Sequence, residues 1–157
     1  MPNIHMQPGR PDVPASLVQQ EQLIFQSSAF MEAVVAAYAL VAHADGDVSP
    51  TERRRLMMIA RTEPRLELFS REEIAEEFAV HEANYELDVE VATEIAYEKV
   101  ELMKGRNVEA RAVIDACRLA IVADGTLHPS EFTMLQRIKM RLGIDDNPSP
   151  SALARTR

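Results

Sequence analysis

Apolar positions along this chain recur at three- and four-residue spacing, and no run alternates with the period of two that marks a strand. The pattern predicts an all-α fold of about seven helices. Leu17 to Gln26 reads as a short amphipathic helix that Ser27 and Ser28 close or cap. Ala29 to Ala44 is apolar nearly all round, as expected of a central helix surrounded by others. Pro50 to Ala60 opens with Ser49 as N-cap, Pro50 at the first position and Glu52 completing a capping box. Ser70 and Glu73 form a second capping box, opening a helix to about His81. Leu87 to Lys104 follows and is closed by Gly105, then Val108 to Ala123, and finally Glu131 to Leu142 stopped by Gly143. Val108–Ala123 is expected to share the buried centre with Ala29–Ala44. Residues 1–16 hold Pro2, Pro8, Pro11 and Pro14 and read as a disordered leader, residues 17–144 as the helical domain, and residues 145–157 as a disordered tail.

A ten-residue stretch of the chain recurs, with Ala, Asp, Gly, Pro and Glu identical at matching places. His43-Ala44-Asp45-Gly46-Asp47-Val48-Ser49-Pro50-Thr51-Glu52 returns 79 positions later as Val122-Ala123-Asp124-Gly125-Thr126-Leu127-His128-Pro129-Ser130-Glu131. Leu40, Leu56 and Ile59 match Leu119, Leu135 and Ile138 at the same offset. Each copy reads as a helix, an Asp-Gly turn and a second helix opening on proline, so a pseudo-two-fold bundle of two helical hairpins is expected.

The spacing Asp-Gly-x-[Val/Leu]-x-x-x-Glu is the second half of a calcium-binding EF-hand loop. The first half is missing, because Val41 and His43, or Ala120 and Val122, stand where the earlier ligands belong. One reading makes Gly46 and Gly125 left-handed helix ends and Glu52 and Glu131 N-terminal caps. That reading leaves an aspartate at each helix C-terminus, where the dipole disfavours negative charge. A cation held by Asp45, Glu52, Asp124 and Glu131 removes the conflict. The oxygen-only set favours Ca²⁺ or Mg²⁺, with Zn²⁺ less favoured. If the two halves are related by a two-fold axis, both acid pairs can converge on one shared site. None of the four histidines follows a glutamate by three residues, so the ligand motif of a di-iron bundle is absent; His128 could shift the preference toward Zn²⁺, but it is expected instead to cap a helix or face solvent.

Composition narrows the function classes. The chain has 157 residues with 25 acids against 17 Lys and Arg, for a net charge of −8. Ser70 to Glu101 carries eleven of the acids against Arg71 and Lys99, whereas five arginines fall between Arg53 and Arg65. The expected molecule is bipolar, and its acidic block is expected to dock a protein partner. The arginines are not interleaved with aromatics and the net charge repels a polyanion, so nucleic acid is not an expected partner. The single cysteine, Cys117, forms no intrachain disulfide or CxxC centre and is expected to fill the core. No basic-then-apolar signal pattern opens the chain, and Ala33 to Ala44 is too short to span a bilayer, so a cytoplasmic domain without direct membrane insertion is expected. No nucleophile has a base in a recognisable motif, and no enzymatic activity is expected.

Several of these residues together resemble the tellurite-resistance TerB family. They are Phe30-Met31 opening an apolar helix, Ala44-Asp45-Gly46 followed by Glu52, Phe69 before a capping box, Tyr85 to Glu90 (YELDVE), and Ala123-Asp124-Gly125 with Glu131. The likeness spans about Ala29 to Ile144. It implies a non-enzymatic, all-helical stress-response module that binds a divalent metal through Asp45, Glu52, Asp124 and Glu131. It also implies protein partners, among them TerC-like membrane proteins or TerD-like calcium binders, and through them a place at the inner face of the membrane. The alternative is a metal-free helical scaffold for protein contacts.

Overall fold

A computed structural model of the chain describes residues 15–46, 48–122 and 128–144. Within them lie six α-helices and one 3₁₀ turn, and no strand: α1 (Ala15–Ala42), α2 (Pro50–Thr62), the 3₁₀ turn (Pro64–Leu66), α3 (Arg71–Leu87), α4 (Val89–Glu101), α5 (Asn107–Val122) and α6 (Pro129–Leu142). The expected all-α class is observed. Helix α1 is the axis of the bundle and packs against all five others.

The first two expected helices are one. Ser27 and Ser28 lie inside α1 and do not end it. A serine inside a helix costs only a few tenths of a kcal/mol, far less than the burial gained by continuing the helix. From Phe30 to Ala42 every residue but Glu32 is buried, many at 0% exposure. The merged helix is 28 residues, so by length and composition it passes the test for a membrane span that Ala33–Ala44 alone fails; 69% of its most apolar window is buried within the bundle.

The capping motifs act as the sequence predicts. Ser49 and Ser70 each accept from the third helical N–H, and Glu52 and Glu73 return their carboxylates to the cap N–H at 2.7 Å. Gly143 ends α6 in the left-handed conformation (φ 69°), a geometry glycine adopts without a side-chain clash. Helix α3 runs two turns past His81 because that ring and the half-buried Tyr85 keep its inner face packed.

The repeat is not symmetric in burial. Leu56, Leu135, Ile59 and Ile138 are all buried, as the matching requires. Leu40 is fully buried, yet its counterpart Leu119 is 54% exposed. Helix α5 is therefore buried on one face only, contrary to the expected pair of equal central helices. Leu119 instead borders an apolar cleft of about 180 Å³ with Met58, Ile59 and Thr62 of α2.

Six of the eleven acids in the Ser70–Glu101 block work within the fold. Glu73 and Asp88 cap helices. Glu82 binds Arg53 of α2, Glu77 binds Lys99, and Glu94 and Glu101 hold Arg141 of α6. Glu72, Glu76, Glu86, Glu90 and Glu98 remain as an exposed acidic surface on α3 and α4.

Candidate metal centre

The chain leaves α1 by tightening its last turn. Ala44 N–H donates to Val41 O and Gly46 N–H to His43 O. Gly46 then takes a φ of 122°, which L side chains rarely adopt, and so turns the chain away from the helix axis. This turn sets Asp45 at the C-terminal end of α1. Glu52 occupies the third position of α2 and Glu131 the third position of α6. One carboxylate oxygen from each of Asp45, Glu52 and Glu131 lies within 4.8 Å of the other two.

These side chains meet in different surroundings. Asp45 is exposed and Glu52 half-buried, whereas Glu131 is only 5% exposed. Glu52 Oε2 accepts the Ser49 N–H of the capping box. Tyr38, from the core of α1, donates its hydroxyl to the Glu52 backbone carbonyl and ties this turn of α2 to the central helix. Burial, and then the charge of Glu52, push the Tyr38 phenol above its ordinary value, with Arg55 opposing and Glu131 adding to the rise. The structure thus brings together three of the four acids singled out in the sequence, and the two halves of the repeat converge at one place. Asp124, the fourth, lies outside the described residues, as does Gly125.

Of the two expectations for His128, capping is not met, and its side chain is 41% exposed. It occupies the N-cap position of α6 but makes no side-chain capping bond. Its counterpart in the first repeat, Ser49, does cap. The ring instead turns toward the first repeat, with Nε2 4.0 Å from Asp45 Oδ2. Sequence reasoning placed His128 within the second turn; nothing local could show that it meets a residue 83 positions away. His43 is differently engaged. Its Nδ1 lies 2.8 Å from Ala39 O, its ring stacks on Tyr85 at 3.9 Å, and it faces a cleft of about 470 Å³ with Val48, Arg53 and Glu82. The three acids are not part of that cleft's lining.

The donor set fits a divalent cation. An ion 2.0–2.6 Å from each of several oxygens holds those oxygens roughly 3–5 Å apart, and the observed spread falls within that range. Carboxylate donors suit Mg²⁺, Ca²⁺ and Mn²⁺. Cys117 is no part of the site. It is buried in α5, and loss of water pushes its thiol up to about 12.

An all-helical domain in which Asp45 and Glu52 of the first repeat meet Glu131 of the second defines a class of helical bundle rather than a particular activity. Residues 31–154 match the family model described as Tellurite resistance protein TerB. The chain belongs to that family, which is not a known enzyme family. No curated protein and no solved structure matches the chain.

Proposed function

We propose that this protein is a non-enzymatic stress-response module of the tellurite-resistance type that binds one divalent metal ion through Asp45, Glu52 and Glu131 and docks protein partners on its acidic face. The observation that carries the metal reading is the convergence of three carboxylate oxygens, delivered by three separate elements, on a point where one carboxylate is buried. At 4.8 Å, two unit negative charges repel by roughly 1–3 kcal/mol between the dielectric of water and that of a protein surface. A cation offsets this repulsion while satisfying the carboxylate lone pairs.

Isothermal titration of the full chain with Ca²⁺, Mg²⁺ and Zn²⁺ tests the reading. Wild type is expected to bind one ion, and Glu131→Gln to lose at least about tenfold in affinity. Absence of binding, or equal binding by the variant, favours the metal-free scaffold. That alternative draws support from Glu52, whose carboxylate already has a structural task at Ser49.

The partner reading rests on Glu72, Glu76, Glu86, Glu90 and Glu98, exposed acids for which a partner's basic groups are the natural complement. TerC-like or TerD-like proteins are the candidates that family membership suggests, and the former set the protein at the inner face of the membrane. Changing Glu72, Glu76, Glu90 and Glu98 to glutamine is expected to abolish capture of the partner and leave the melting temperature nearly unchanged. Unchanged capture removes the acidic face from the proposal.

A further inference from the structure

We propose that the cleft between α2 and α3 is the anchor pocket of the docking surface, and that it takes an arginine side chain flanked by apolar residues on a partner protein. The inference rests on the acidic-face reading above and goes beyond it in naming the seat and the chemistry of the segment that fills it. The cleft lies where the end of α1 and the start of α2 meet the α3–α4 junction, and its volume is about 470 Å³. That volume falls within the roughly 300–1,000 Å³ of pockets that hold small ligands.

Three features of the lining select a planar cation. The first is aromatic. The rings of His43 and Tyr85 stack at 3.9 Å with 5° between their planes. A carbonyl can only accept, so His43 Nδ1 donates to Ala39 O, and in the neutral ring Nε2 is left as an acceptor. A guanidinium is planar, carries only donors and is more weakly hydrated than an ammonium, which suits it to such a pair. The second feature is charge. Arg53 is the one arginine or lysine of the lining, and Glu82 neutralises it through two bonds, Nε to Oε1 at 3.0 Å and Nη2 to Oε2 at 2.6 Å. Glu86, also in the lining, is exposed and makes no hydrogen bond or ion pair among the described residues. The cleft therefore keeps one negative charge that a cation complements, and a carboxylate can hold a guanidinium by two parallel bonds.

The third feature is the rim. Val89 lines the cleft at 62% exposure, and Leu87, two residues before it, is 86% exposed. An arginine between apolar neighbours answers all three features, with its stem and those neighbours over Val89 and Leu87 and its head on Glu86 and the ring pair. An acidic segment meets the exposed Glu86 and Glu90 instead and finds Arg53 already engaged.

The probe is the capped peptide acetyl-Ala-Leu-Arg-Leu-Ala-amide, added to the ¹⁵N-labelled full chain, beside a second peptide in which neutral citrulline replaces arginine. The amide signals of Gly46, Val48 and Val89 are expected to move, and those of Gly105 and Gly143, which do not line the cleft, to stay in place. Citrulline in the peptide, or Glu86→Gln in the protein, is expected to weaken binding about fivefold, the effect of removing one well-placed surface ion pair. Glu86 has no ion pair within the fold to lose, so the variant is expected to melt as wild type does. Signals that stay in place, equal binding of the two peptides, or undiminished binding by Glu86→Gln overturns the pocket. The acidic face is judged separately by the Glu72, Glu76, Glu90 and Glu98 variant, whose changes lie outside the cleft lining. If that variant loses its partner while the peptide does not bind wild type, the face stands and the pocket falls.

Discussion

His81 is fully buried on α3, and neither ring nitrogen has a hydrogen-bond partner. The nearest carboxylate oxygen, Glu77 Oε1, is 3.6 Å from Nε2 and is itself engaged by Lys99. Loss of water, reinforced by the charge of Lys99, pushes the imidazolium down to about 4 from an ordinary 6.5, with Glu77 opposing. The unfolded chain therefore takes up a proton near pH 6.5 while the folded protein does not do so until about pH 4. Between those limits the unfolded state binds more protons, so stability falls as the pH is lowered. Each tenfold change in proton affinity is about 1.4 kcal/mol, which makes the full effect about 3 kcal/mol, of which about 2 kcal/mol is lost by pH 5. Urea unfolding of wild type and His81→Leu at pH 7.5, 6 and 5 isolates this contribution, because titrating surface carboxylates affect both proteins alike. Wild type is expected to lose about 2 kcal/mol relative to the leucine variant over that interval. At pH 7.5 the variant is expected to equal or exceed wild type, since it removes two buried polar atoms that make no hydrogen bond. A stability difference independent of pH refutes the reasoning, and so does a leucine variant that is much less stable at neutral pH.

Other expected outcomes follow from the caps and the core. Ser49→Ala removes a capping bond and should cost about 1 kcal/mol in denaturant unfolding. His128→Ser should gain part of that amount in the absence of metal, because His128 makes no capping bond to lose. Cys117 should resist alkylation by iodoacetamide in the native protein and react at once in urea, given its burial and its raised thiol value; fast native labelling would show that α5 opens readily.

Local physics made much of this legible in advance. Ser49 with Glu52 and Ser70 with Glu73 announce their helices because a capping box needs only four consecutive residues, and Gly143 announces an end for a similarly local reason. The buried run from Phe30 to Ala42 is visible because apolar residues circle the helix. What the sequence obscured depends on neighbours. Ser27 and Ser28 look like a stop only until the packing beyond them is counted. Leu119 matches Leu40 in the repeat but not in burial, since α1 is enclosed and α5 lies at the edge. Glu77, Glu82, Glu94 and Glu101 look like surplus charge, yet each has a basic partner on another helix. At the candidate site, the repeat pointed to Asp45, Glu52 and Glu131, and to Asp124, which lies outside the described residues. The approach of His128 to Asp45 joins the N-terminus of α6 to the end of α1, and a contact of that kind is set by tertiary packing alone.

Thermal denaturation of the full chain with and without a divalent ion tests the central claim, that these acids form a metal centre, most directly. At 100 times its dissociation constant an ion that binds only the folded state stabilises it by about 2.7 kcal/mol, or roughly 5–10 °C for a chain of this size. Wild type is expected to show that rise. The Asp45→Asn/Asp124→Asn variant keeps the turn-forming side chains but removes two charges, and is expected to fold, to melt at or above wild type without metal, and to lose most of the rise. A wild type that melts at the same temperature with every divalent ion, or a variant that rises as much as wild type, would contradict the account.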